Sequence, residues 1–474
     1  MPFDAGTVPK RAAELAASRL IAPAEDLPSA LAGVSYDQYR DFRYRADAAL
    51  WRDDAEARFQ AQFFHRGFLF KPRVDIHVVE NGAAQALPFT TRLFDYAPNA
   101  APRLDDIGFA GFRLHAPLNR DSYFDELCTF LGASYFRAVA RGLGYGVSAR
   151  GLALNTGESV AEEFPLFRAF WLHRPEPGGN SITIDALLDS PSVTGAFRFV
   201  VTPGETTVFD VDSRLFPRVD LPKAGIAPLT SMFHFDASGR DDADDYRPAV
   251  HDSDGLAVWT ADGEQLWRQL HNPDAVQHSG LQGGSPKGFG LMQRKRAFED
   301  FQDAEAHYER RPSVWIEPLD AWGDGEVHLV EIPTDDEYHD NIVAFWRPAN
   351  PMTPGREHRW RYRMHWTASH VWRPELAQVT ATRIGAVPKT TSGARLIVID
   401  LDGGQGPTDP AALSVEATAS AGAVQDAVVH ARPDGGWRVG FEFEPEGQSI
   451  AELRMRLLQG AQAVSETWVY RWQA

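Results

Sequence analysis

Residues 182–215 read ITIDALLDSPSVTGAFRFVVTPGETTVFDVDSRL. Ile182 to Leu188, Gly195 to Thr202 and Thr207 to Leu215 are short runs rich in β-branched and aromatic residues, and Pro203-Gly204 punctuates the last two as a turn. The same pattern extends in both directions. Val74, Ile76 and Val78 alternate with polar neighbours and end at Asn81-Gly82, a strong hairpin signal. Further strands are expected at Phe289 to Gln293, Ser313 to Ile316, Val327 to Ile332 and Ile342 to Trp346. So many strands with few helices between them predict an all-β chain of antiparallel sheets packed as a sandwich.

Two helices are expected. At the N-terminus Thr7 serves as cap, Pro9 suits a first turn, and Ala12, Leu15, Ala16 and Leu20 fall at helical spacing. Over Tyr123 to Ala140, Phe124, Leu127, Leu131, Tyr135 and Val139 recur every three or four residues. A boundary falls at residues 348–355, where three prolines and a glycine exclude both a helix and a central strand. It separates a large sandwich, residues 1–347, from residues 356–474. The latter carry short strands at Arg359 to Trp366, Gln378 to Ile384, Arg395 to Asp400, Leu413 to Thr418, Ala427 to Ala431, Trp437 to Phe443 and Ile450 to Leu457, with Val464 to Trp472 closing. That spacing fits an immunoglobulin-like sandwich without its disulfide.

Lys+Arg 47 against Asp+Glu 65 gives a formal charge of -18, a field that repels nucleic acid and anionic membrane surfaces. No apolar run approaches the ~20 residues of a membrane span. The start, MPFDAGTVPKRAAELAA, lacks the basic-then-apolar plan of a signal peptide, so the expectation is a cytoplasmic protein or a trimmed mature form. The single cysteine, Cys128, excludes an internal disulfide and a Cys-based zinc cluster and reads as packed. Most of the 13 Trp and 29 Phe read as core, although sugar rings also stack on such side chains.

No phosphate-binding loop, nucleophile elbow or HExxH metal motif is present. Two polar clusters stand out. The first is Val250-His251-Asp252-Ser253-Asp254-Gly255, between apolar runs. The second, residues 333–341, sets Asp335, Asp336, Glu337, His339 and Asp340 between the strands ending at Ile332 and starting at Ile342. Loops held by rigid strands are where sandwiches place functional groups. Glycoside chemistry needs two carboxyl groups, one to protonate the leaving oxygen and one to activate the nucleophile. Solvated acidic turns, or a calcium-type ligand set for Asp-Ser-Asp-Gly, fit the same residues. A third segment, Tyr308 to Pro318, offers Tyr308, Arg311 and Trp315 to sugar hydroxyls and ring faces; an Arg–Glu network around a structural Trp fits equally.

These clusters, with Val34 to Arg43, Gln62 to Phe70, Gly108 to Leu114, Phe130 to Arg137 and Ala186 to Ala196, resemble the OpgG/OpgD (MdoG/MdoD) family of periplasmic glucan biosynthesis proteins. The resemblance runs from about Phe3 to the end and is densest before Trp346. It implies a large carbohydrate-binding, mutarotase-like N-terminal sandwich, an immunoglobulin-like C-terminal one, and a periplasmic location with the signal removed. The implied substrate is a β-1,2-linked glucan of osmoregulated periplasmic glucan synthesis. The implied activity is anomer-inverting hydrolysis, with transglycosylation or a non-catalytic glucan scaffold as rivals.

The resemblance makes Asp340, in residues 340–346 (DNIVAFW), the general acid, and Asp252 the general base or the end of its proton relay. Tyr308 and Glu337 line the cleft, and Arg311, Trp315, Trp346, His251 and Asp254 join them as candidate substrate-binding residues. Asp336 and Glu337 are expected to keep Asp340 protonated, and His339 to affect how water reaches it. No metal or organic cofactor is called for. A homodimer and partner enzymes of glucan synthesis are further expectations.

Overall fold

The structure is a computed structural model and describes residues 1–18, 27–240, 243–369, 375–388, 393–404 and 409–474. The run read first from sequence forms three antiparallel strands, Ile182–Asp189, Val193–Thr202 and Thr206–Pro217, paired in order from Ile182↔Val201 and from Thr202↔Val208. They lie in a 15-stranded sheet. A 10-stranded sheet, which includes Gly111–Arg120, Tyr123–Leu131, Tyr135–Ala138 and Ser148–Arg150, faces it. Aromatic rings close the gap: Phe130 and Phe136 of the facing sheet lie 5.3 and 5.2 Å from Phe199 of the large sheet. Such ring pairs add about 0.5–1.5 kcal/mol each beyond the area they bury. The Asn81-Gly82 hairpin is present, both residues with positive φ (49° and 72°), as a tight two-residue turn requires.

The N-terminal helix spans Thr7–Ala16 and lays Val8 and Ala12 on the large sheet. Thr7 is its first residue rather than its cap; the Thr7 hydroxyl donates to Asp4 Oδ1 at 2.9 Å. Leu20, assigned to the same stripe, lies outside the described residues.

The second expected helix, Tyr123 to Ala140, is instead two strands, Tyr123–Leu131 and Tyr135–Ala138, joined through Gly132 and Ala133 at positive φ. The register slips between Leu114↔Cys128 and His115↔Glu126, leaving Leu127 as an extra residue. This bulge buries Leu127 and Cys128 side by side. Bulge and turn together convert a period of two into an apparent spacing of three and four.

The strand after the Pro-rich segment, His358–Thr367, does not open a C-terminal sandwich. It pairs with Thr206–Pro217 and Ser313–Pro318 in the middle of the large sheet. Beyond it, Gln378–Ala386, Arg395–Asp402, Ala423–Ala431 and Trp437–Glu444 form a four-stranded sheet. The remaining C-terminal strands extend the large sheet itself, Thr467–Gln473 running parallel to Gln265–Gln269. The second core lies between these layers and draws Ala257, Trp267, Met292 and Trp315 from the N-terminal part of the chain. Among the described residues no helix is long and apolar enough to cross a membrane.

One face of the 10-stranded sheet is core. Its other face carries Arg113, Glu126, Tyr135 and Arg137, partly exposed, and Ser148 and Arg150, which are covered by neighbouring segments. That polar face is the floor on which the acidic loops converge.

Candidate active site

The loop from Pro333 to Asp340 is held at its base by Asn341. Its side chain accepts from Phe233 N at 2.8 Å and donates to the carbonyls of Phe233 and Ile332 at 2.9 and 3.0 Å. Asp340 is thereby fixed beside the sheet floor. Ser148 Oγ donates to Asp340 Oδ2 at 3.2 Å and Arg137 Nη2 to the same oxygen at 3.5 Å, and among the described residues no hydrogen bond falls on Oδ1. The Asp340 side chain is 26% exposed. One carboxylate oxygen is therefore positioned and the other is open to a ligand.

The second acidic segment is buried. Asp252 N donates to Met232 O at 2.8 Å, the hydroxyls of Ser253 and Ser231 meet at 2.6 Å, and Asp254 N donates to Met292 O at 2.9 Å. Burial pushes the Asp252 carboxyl up to about 6, against the pull of Arg311, whose Nε is 3.6 Å away; the charge of Asp340 adds to the rise. Arg311 donates to Tyr145 O and lies 5.2 Å over the Tyr308 ring. Tyr308 donates its hydroxyl to Glu337 Oε2 at 3.1 Å, and burial followed by the Glu337 and Asp252 charges raises the phenol. Glu337 is anchored to Arg247 at 2.7 Å, and Arg247 in turn to Asp303 and Asp245, each at 2.7 Å. Two carboxyl groups from distant segments thus lie within electrostatic reach of each other, Asp252 buried and Asp340 partly exposed, with Arg311 and Tyr308 beside Asp252.

The sequence profile of the family described as "Periplasmic glucan biosynthesis protein, MdoG" matches residues 3–472. The chain belongs to this family. It is 49% identical over 472 residues to glucans biosynthesis protein G of Rhodopseudomonas palustris, covering 99% of this chain and 93% of the relative. It is 47% identical to the protein of that name from Bradyrhizobium diazoefficiens (100% and 94% covered) and 48% identical to that of Vibrio cholerae (99% and 87% covered). The chain therefore belongs with periplasmic glucan biosynthesis proteins.

In this family member the structure brings Asp340, Asp252, Tyr308, Glu337 and Arg311 together. Four other candidates lie elsewhere. Trp315 is buried in the second core and Trp346 in the first, so neither offers a face to a ligand. The chain clears space for such rings with glycine: a Cβ on Gly288 would sit 2.2 Å from the Trp315 ring, and one on Gly325 2.4 Å from Trp346. His251 is fully buried, stacked 5.4 Å from Phe233, and burial holds its imidazole well below its ordinary value. Asp254 faces away from the cleft, accepting from Arg294 N at 3.2 Å.

Asp336 and Glu337 take partners other than Asp340, Glu337 binding Tyr308 and Arg247. Asp336 accepts from Tyr338 N and from His339, which hold its carboxyl below the usual range. Burial raises the carboxyls of Asp252 and Asp254 instead. His339 turns to Asp336 and is 76% exposed. Arg137, Ser148 and Arg247 were not singled out from sequence. Arg137 was hidden by the helical reading of its segment, since on a strand Tyr135 and Arg137 share a face. Ser148 and Arg247 carry no local signal. Among the described residues no three His, Cys, Asp or Glu side chains converge as metal ligands.

Proposed function

We infer that the chain cleaves a β-1,2-linked glucan with inversion of the anomer. What supports this reading is the pair Asp340 and Asp252, close enough for the charge of one to act on the other, the first partly exposed and the second buried, with separate partners. Asp340, oriented through Oδ2, presents Oδ1 to the glycosidic oxygen and donates the proton as the bond breaks. Asp252 is the terminal acceptor for the proton of the attacking water, received directly or through hydroxyl groups, Tyr308 standing beside it. A base poised near 6 is ionised at neutral pH yet basic enough to accept a proton. The experiment is to incubate the protein with linear β-1,2-glucan and follow chain length and reducing ends. New reducing ends in proportion to cleavage support hydrolysis.

A second reading, transfer of the cleaved chain to a sugar hydroxyl, is favoured by the relatives' name as biosynthesis proteins. It uses the same two carboxyl groups and leaves the number of reducing ends unchanged.

The pH dependence follows from Asp252. Below about 6 the base is protonated, so kcat/KM falls about tenfold per pH unit on that limb. A limb near 4 instead would show that Asp252 is not the base. The same shift has a stability sign. The folded state holds this proton more tightly than the unfolded state, so stability falls as pH rises from 3.8 through about 6. The loss is about 3 kcal/mol. Asp252→Asn is expected to flatten that part of the pH–stability curve while removing activity.

His339→Ala, by contrast, should change turnover by less than about fivefold, because an exposed ion pair contributes at most about 1 kcal/mol. A larger loss would return His339 to the cleft.

A further inference from the structure

The segment from Asn155 to Phe164 has no regular structure beyond an isolated bridge between Leu154 and Glu163, yet it is tied down through Thr156, Glu158, Glu162 and Glu163. Glu162 accepts from Arg150 Nη1 and from the Thr156 hydroxyl, both at 2.6 Å. Glu163 accepts from Ser192 N at 3.0 Å and from its hydroxyl at 2.6 Å. Glu158 pairs with Lys223 and with Arg347, and the Gly157 carbonyl meets His278 Nε2 at 3.0 Å. Ordering an irregular loop this thoroughly costs conformational entropy, and the structure invests it in holding one end of the segment still.

That end carries Phe164, 47% exposed. Its inner face rests on the Arg150 guanidinium, 5.6 Å from the ring centre, and the same guanidinium lies 4.8 Å from the Tyr135 ring. Arg150 is pinned a third way, donating to Thr230 Oγ1 at 3.0 Å. The stack stands beside the proposed acid. Arg150 is two residues from Ser148 on one strand face, an advance of about 7 Å, and Ser148 holds Asp340. Tyr135 lies in the field of Asp340 and Arg137. An apolar ring backed by a fixed cation and about half exposed, on a braced loop near the proposed acid, has the form of a ligand platform rather than of a stray surface side chain.

We propose that Phe164, backed by Arg150 and Tyr135, is a stacking platform for a glucose unit of the bound glucan a few units from the bond at Asp340, and so sets how long a chain must be to bind well. This rests on the glucan reading above. The apolar face of a pyranose ring covers the outer face of Phe164, while hydroxyls at its edge reach the polar sheet floor.

The test measures binding of linear β-1,2-glucan oligosaccharides of increasing length by calorimetry. It uses Asp340→Asn protein, so that no chain is cut, with Phe164 intact, as Phe164→Ala and as Phe164→Trp. With Phe164 intact, affinity rises in a step at the length that reaches the platform. Phe164→Ala removes that step, weakening long chains about tenfold while leaving short ones unchanged, and Phe164→Trp restores it. An unchanged length profile in Phe164→Ala, or equal weakening at every length, overturns the platform while leaving the glucan reading intact. Failure of every length to bind when Phe164 is present overturns the glucan reading and the platform with it.

Discussion

Asp340→Asn is expected to lower cleavage of linear β-1,2-glucan by about 10²–10⁴-fold, the usual contribution of a general acid, while glucan binding and fold persist. Asparagine matches aspartate in volume and keeps an oxygen for the Ser148 hydroxyl, 3.2 Å from Oδ2, so the side chain should stay in place. The loop does not depend on it: Asn341 fastens the base through three side-chain hydrogen bonds to Phe233 and Ile332. What the variant loses is the acidic proton. Rates are read from product formation, binding from calorimetry and fold from thermal unfolding. Unchanged cleavage by a folded Asp340→Asn protein would remove Asp340 from the chemistry. Binding without cleavage by either protein would make the chain a scaffold that holds glucan.

The second large effect is on stability. Arg294 and Glu466 form a two-pronged pair at 2.5 and 3.0 Å with side chains only 6% and 3% exposed. Glu466 also accepts from Val379 N at 2.6 Å, Arg294 donates to Val379 O at 2.7 Å, and the guanidinium lies 3.5 Å over the Trp267 ring. This knot joins the four-stranded sheet, through Val379, to the strands under the cleft. Glu466→Ala leaves a buried guanidinium without its counter-charge, and a loss of about 3–5 kcal/mol is expected, read as a shift in urea midpoint at constant slope. The double variant Arg294→Met with Glu466→Leu should recover much of it, because neither charge is then left unpaired. Since Arg294 N holds Asp254, two residues from Asp252, the single variant should also lower turnover under conditions where it remains folded. A cost under about 1 kcal/mol would mean that the pair is relaxed by solvent and does not lock the two layers.

Where the sequence was readable, the reason is local. The strands from Ile182 to Pro217 pair with their chain neighbours, so alternation and a Pro-Gly turn suffice to find them. The acidic loops at Asp252 and Asp340 were visible because charge interrupts apolar strands. The failures are non-local. His358–Thr367 buries Trp360, Tyr362, Met364 and Trp366 at every second position, as a sandwich strand does. Only its pairing shows that it belongs to the large sheet. The bulge at Leu127 disguised a strand as a helix and hid Arg137 with it. A tryptophan in sequence does not say which way it faces, so Trp315 and Trp346 were assigned to the cleft although glycines make room for them in the cores. Asp252 acquires its raised carboxyl only once the chain has buried it beside Arg311, a property with no counterpart in the linear order.

The most direct measurement is to incubate the protein with linear β-1,2-glucan in ¹⁸O-labelled water and follow the anomeric form and mass of the first products. Inverting hydrolysis gives shorter chains whose new reducing ends carry one solvent oxygen and appear first as the α-anomer. Shortened chains that carry no label, or glucan left intact under conditions where it is bound, would contradict it.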